Sequence, residues 1–212
     1  MTRLLDVGLE QLTVMVYKSG EIAKNAINMS ISSFMNGTDA MEDVRDLSDV
    51  ISSMTVEIEN KAFELIAKYQ PVASDLRIIN SYMKIAYDFE RYGRYAWDIS
   101  FTYKKLGGLG KCADASDLMP KLVEKVSEMV SKSVEALRQH DAELAKTLAD
   151  IEKEVDELYF AYLDQLSKAR VQNKFVMCNL LVSRYLERIA DHTTYVGEAI
   201  VYIATGEKIS LR

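Results

Sequence analysis

At 212 residues, with 49% hydrophobic residues and only two prolines, the chain is long enough to bury a real core and poor in helix breakers. Lys+Arg 26 against Asp+Glu 32 gives a formal charge of -6 with no basic block, which argues against a nucleic-acid binder. No apolar run reaches the roughly 18 residues of a membrane span, and the N-terminal MTRLLDVGLEQL lacks a signal-peptide core. Cys112 and Cys178 make neither a metal-ligand spacing nor a disulfide framework, so a cytoplasmic protein is expected.

Apolar residues then recur at helical spacing almost throughout. Leu5, Leu9, Leu12 and Val16 open a first helix expected to run to about Phe34, and Asn36-Gly37 ends it. Thr38 or Asp39 can cap a second helix, whose buried face is Val44, Leu47, Ile51, Met54, Ile58, Ala62, Leu65 and Tyr69. Pro71 suits the first turn of a third helix, where its missing N–H would be unpaired anyway. That helix is crowded with aromatics (Tyr82, Tyr87, Phe89, Tyr92, Tyr95, Trp97, Tyr103), read as inter-helix packing. Gly107-Gly108-Leu109-Gly110 lacks the strand and the lysine of a phosphate loop and reads as a linker. Pro120 sits in the first turn of a fourth helix, Leu144, Leu148, Ile151, Val155, Leu158, Tyr162 and Leu166 line a fifth, and Gly206 stops a sixth.

The second half repeats the first. Glu90-Arg91 in YDFERYGRYAWDIS corresponds to Glu187-Arg188 in RYLERIADHTTYVG, and Asp39-Ala40 to Asp141-Ala142. Such a duplication predicts an all-α fold of two tandem three-helix bundles packed side by side. The expected division is a first repeat at 1–107, a linker at 108–115 and a second repeat at 116–212.

Little in the chain suits covalent catalysis. His140 and His192 are far apart in sequence, and neither a nucleophile elbow nor a glycine-rich loop after a strand is present. The carboxylates are more informative. Glu187 and Asp191 lie four apart, about 40° around one helix, and Glu152 and Asp156 form the same pair on the preceding helix. Like charges at this spacing repel unless neutralised, and two such pairs on neighbouring helices could make an oxygen-rich patch for iron or manganese. Spacing alone favours a solvated polar face, since Glu187 and Asp191 lie roughly opposite the stripe of Val182, Tyr185, Ile189 and Val196. His192 reads as a helix-flank residue more readily than as a nitrogen ligand. In the first half the corresponding positions are Ser48, Ser52, Glu90 and Arg94, and Glu90–Arg94 reads as an ordinary helix salt bridge. The run QPVASDLR (70–77) has a structural reading, with Asp75 favoured by a helix N-terminus and Arg77 pairing with a neighbouring helix.

QPVASDLR, YMKIAYDFER, LERIAD and the closing Val201-Tyr202-Ile203-Ala204-Thr205-Gly206-Glu207 together resemble the PhoU family of phosphate-uptake regulators over nearly the whole chain. The resemblance implies a cytoplasmic, non-enzymatic negative regulator of phosphate homeostasis. Such a protein would link the ATPase subunit of a phosphate ABC transporter to a sensor histidine kinase, meeting the membrane only through those partners. It also implies that Glu152, Asp156, Glu187 and Asp191 hold a multinuclear transition-metal cluster, iron first, with no second cluster because Ser48, Ser52 and Arg94 break the pattern. Self-association into a homodimer stays open. Two alternatives stand beside it. One is a carboxylate-bridged metalloprotein with oxidase-type activity, disfavoured because no inward Glu-x-x-His motif is present. The other is an accessory subunit of a different phosphate transporter. With no anion nest visible in an acidic chain, direct phosphate binding is not expected.

Overall fold

The computed structural model describes residues 3–106, 117–169 and 173–212. The expected linker at 108–115 lies outside the described residues. The described residues form α1 (Leu4–Asn36), α2 (Met41–Tyr69), α3 (Ala73–Leu106), α4 (Leu118–Gln139), α5 (Ala142–Lys146), α6 (Leu148–Lys168) and α7 (Asn173–Thr205). The architecture is all-α, with α1–α3 forming one three-helix bundle and α4–α7 the other. α3 and α7 lie along each other between the two, and α1 also touches α4, so one apolar core runs through both halves.

The helix ends follow local chemistry. Gly37 takes the left-handed conformation (φ 77°), and its N–H and that of Thr38 both donate to the Ser33 carbonyl, closing α1. Asp39 accepts from the Met41 N–H at 3.1 Å, so it supplies the expected cap to α2 from just outside the helix. Asp141 does the same for α5, accepting from the Leu144 N–H at 2.9 Å. Gly206 stops α7 at φ 80°, its N–H donating to Tyr202.

Two expectations are corrected. Pro71 precedes α3 rather than entering it. Gln70 and Ala73 take left-handed φ of 47° and 48°, and this tight reversal buries Pro71 in the link before α3. The fifth helix is broken at Thr147, whose hydroxyl and N–H both turn back to the Leu144 carbonyl, leaving a one-turn α5 ahead of α6.

The buried faces are largely those the periodicity marks. Val44, Ile51, Ile58, Ala62 and Leu65 of α2 and Leu148, Ile151, Val155, Tyr162 and Leu166 of α6 are buried, whereas Tyr69 is largely exposed. Of the α3 aromatics, Tyr82, Phe89, Tyr92 and Tyr103 are buried and Tyr87 is exposed. They stitch the two repeats together: the Tyr92 hydroxyl meets Ser133 at 3.2 Å, that of Tyr82 meets His140 at 2.8 Å, and Tyr95 stacks on Tyr185. QPVASDLR is structural as read: Asp75 accepts from Arg3 at 3.3 Å, and Arg77 lies over the Tyr202 ring of α7 at 5.7 Å.

Beyond α7 the chain turns back on itself. Leu211 is buried over Gly197, where a Cβ would come within 2.9 Å of the leucine, so only glycine leaves room for it. The Leu211 N–H donates to Glu198 at 2.9 Å. Pinned in this way, the segment delivers Arg212 to the flank of α7.

Candidate acidic centre

α6 and α7 run side by side, and the two i,i+4 acid pairs meet between them. Glu152, Glu187 and Asp191 are buried (8%, 7% and 2% exposed), and Asp156 is half-buried beside them. The solvated-face expectation for Glu187 and Asp191 is therefore overturned. α7 is the central helix of its bundle, covered by α3, α4, α5 and α6, so the side opposite its main apolar stripe is also buried.

Three arginines compensate the acids. Arg184 Nη1 donates to Glu187 at 2.7 Å, and Arg188 reaches both acids of α7, 3.0 Å from Glu187 Oε2 and 3.1 Å from Asp191 Oδ2. Arg212 donates to both Asp191 and Tyr195, its guanidinium lying over the Tyr195 ring. These two Arg188 contacts are ion pairs in distance but not hydrogen bonds in direction, and Glu187 Oε2, Asp191 Oδ2 and Arg188 Nε are buried without a hydrogen-bond partner, while Arg188 Nη2 donates to Glu187 Oε1 at 3.4 Å. Four carboxylates facing three guanidiniums leave one formal negative charge over.

The electrostatics follow from this crowding. Burial pushes the carboxyls of Glu152, Asp156 and Glu187 above the usual range. Repulsion among neighbours adds to it: Asp156 acts on Glu152, and Asp191 acts on Asp156 and Glu187. The arginines only partly offset the effect. The centre is thus a desolvated, acid-rich cluster that gains from added positive charge.

Such a donor set fits a hard or borderline cation by its chemistry: carboxylate oxygens only, two of them buried and without a hydrogen bond. As the side chains stand here they are arranged around arginine. Among the described residues no group of three or more His, Cys, Asp or Glu is placed to hold a metal ion. Arg212 is the cation against Asp191, and a metal would have to take its place.

The first repeat departs from the second at the same position. The Ser52 hydroxyl donates to Glu90 at 2.8 Å, so Glu90 is held across the α2–α3 interface. The expected Glu90–Arg94 bridge does not form: among the described residues Arg94 makes no ion pair. Its neighbour Arg91 turns to Tyr95 instead, donating at 3.0 Å.

Sequence reasoning missed one polar pair altogether. Asp88 of α3 and His192 of α7 meet at 2.8 Å, both largely buried, among the rings of Tyr87, Tyr95 and Tyr195. Burial pushes the Asp88 carboxyl up against the pull of His192. His192 is thus a link between repeats, not a helix-flank residue. The one available signal was the odd apolar-face aspartate within YDFER.

With the geometry in hand, comparison with known proteins is direct. The PhoU domain matches twice, at residues 16–101 and 119–200. A phosphate-specific transport system accessory protein PhoU homologue of Clostridium acetobutylicum is 33% identical, covering 100% of this chain and 99% of its own. A homologue of the same description from Aquifex aeolicus is also 33% identical, over 94% of this chain and 92% of its own. The crystal structure of PhoU from Pseudomonas aeruginosa superposes with a TM-score of 0.89 at 26% identity, covering 95% of this chain and 99% of that one. PhoU from Streptococcus pneumoniae, described as a phosphate transport system regulatory protein, shares the fold with a TM-score of 0.86 at 22% identity, covering 97% of this chain and 99% of that one. Two domain matches in the two bundles, and relatives similar from end to end, place this chain in the PhoU family of phosphate-regulation proteins.

Proposed function

We propose that this regulator acts by binding: it occupies the ATPase subunit of a phosphate ABC transporter and a sensor histidine kinase, and damps uptake and starvation signalling when phosphate is plentiful. It does so in the cytoplasm, reaching the membrane only through those partners. One observation carries the reading: the tandem repeat spans the chain, and relatives similar over their whole length bear the description of phosphate-specific transport accessory proteins. Family membership makes the chain a regulator rather than an enzyme. Among the described residues no helix is long and apolar enough to cross a membrane. Capture with tagged protein from phosphate-replete cells is expected to recover the transporter ATPase. Recovery of an ion-driven phosphate carrier instead would assign the chain to a different transporter.

We further propose that Glu152, Asp156, Glu187 and Asp191 can hold transition metal, iron first. The metal would supply compact positive charge that ties α6 to α7 where Arg212 now sits. The chain's own part is to desolvate the acids and to keep Arg184 and Arg188 at their flank. Elemental analysis of untagged protein beside Glu187→Ala/Asp191→Ala tests this. Stoichiometric metal in the parent and none in the variant is the expected result, and parent protein still empty after incubation with iron retires the metal.

A further inference from the structure

We propose that the first repeat carries an anion site where the second repeat carries its acids, and that its ligand is a tetrahedral oxyanion of the phosphate class. The duplication places Ser48, Ser52 and Arg94 at the positions of Glu152, Asp156 and Asp191. The α2–α3 surface there forms a cleft of about 420 Å³ lined by Arg45, Ser48, Asp49, Arg94 and Trp97.

Its donors are largely unspent. Among the described residues, Arg94 makes neither an ion pair nor a hydrogen bond, and the Ser48 hydroxyl has no partner. Arg45 is held loosely, at 3.8 Å from Glu42 and 3.9 Å from Asp49, beyond hydrogen-bond distance. Two guanidinium forks beside a hydroxyl are the donor geometry that binds a phosphoryl group by paired N–H···O bonds. Among the residues lining the cleft, the two arginines face one acid, Asp49. Asp49 is exposed, so water and salt screen its repulsion. Glu90, which accepts from the Ser52 hydroxyl at 2.8 Å, is not among the residues lining the cleft. Glu42, beside Arg45, is exposed as well, and Asp98 lies outside the lining, where burial raises its carboxyl while Arg94 and Arg91 favour its charged form. The two repeats therefore differ at equivalent places: one gathers acids around arginine, the other presents two arginines to solvent. No contiguous motif announces such a site, because its residues come from two helices, at 45–49 and 94–97. The assignment stands on this geometry and does not rest on the regulatory reading.

Calorimetric titration of the full chain tests it, with inorganic phosphate, sulfate and adenosine monophosphate as separate probes. Saturable binding of phosphate is expected, weakened about tenfold or more in Arg45→Ala/Arg94→Ala. It should be unchanged in Arg138→Ala, an exposed arginine of α4 that pairs with Glu135 and does not line the cleft. Saturation by the nucleotide but not by the free ion, lost in the same double variant, supports the site and names a phosphate ester as the source. Binding of sulfate alone, lost in the double variant, would support an oxyanion site but overturn the phosphate assignment. No saturation by any probe at millimolar concentration, or equal affinity in parent and double variant, overturns it. Since both arginines are exposed, the variant is expected to keep the parent's melting temperature, so lost binding is not lost folding. Partner capture is read separately, so either claim can fail alone.

Discussion

Asp88→Ala is expected to destabilise the protein by about 3 kcal/mol and to lower its melting temperature by roughly 6–12 °C. The substitution leaves His192 in a mostly buried aromatic surround without its partner, and that desolvated group bears the cost. The pair is nevertheless an expensive one, since burial raises the Asp88 carboxyl even against the imidazole. Replacing both partners with apolar side chains, Asp88→Leu/His192→Phe, should therefore recover most of the loss. Thermal melts of the parent and the two variants settle the matter. An Asp88→Ala protein that melts with the parent would show that this contact does not hold the repeats together.

The acidic centre should respond with opposite signs at two of its carboxylates. Asp191→Ala removes the acid that Arg212 and Arg188 both address, so Arg212 loses its ion-pair partner and the docked C-terminal segment its tie to α7, at a cost of about 2 kcal/mol. Glu152→Gln acts the other way. Glu152 makes no ion pair among the described residues, and burial with repulsion from Asp156 raises its carboxyl, so the fold disfavours its ionised form. A carboxyl raised in the folded state contributes stability at low pH that is lost as pH climbs from about 4.3 through the higher folded value. At neutral pH the glutamine variant should thus melt above the parent, and the gap should close as pH falls toward about 4. Melting curves across that range check the sign, and a destabilised Glu152→Gln protein would mean that its charge is compensated after all.

Much of the fold is legible in the sequence because helix burial is a local property. The i, i+3, i+4 spacing of Val44 to Leu65 marks a face, and Asn36-Gly37 and Gly206 mark ends through backbone conformations that glycine adopts without strain. The two acid pairs are legible for the same reason, and so is their position on adjacent helices. What spacing cannot show is what lies against the other side of a helix. The stripe of Val182, Tyr185 and Ile189 points away from Glu187 and Asp191, yet α7 is enclosed on both sides, so acids that read as solvated are buried. Arg212 reaches Asp191 only because Leu211 docks over Gly197, and Asp88 finds His192 across the repeat interface. These contacts depend on tertiary packing, which no pattern along one helix records. The break at Thr147 is a weaker case, since the apolar spacing of Leu144 and Leu148 runs on through it.

The proposed role is restraint of phosphate uptake by binding. The most direct measurement is phosphate uptake together with a starvation-responsive reporter in phosphate-replete cells, with the gene deleted and with the chain restored. Deletion is expected to raise both, and restoring the parent chain to return both to the repressed level. Uptake and reporter activity that stay at the parental level after deletion would contradict it.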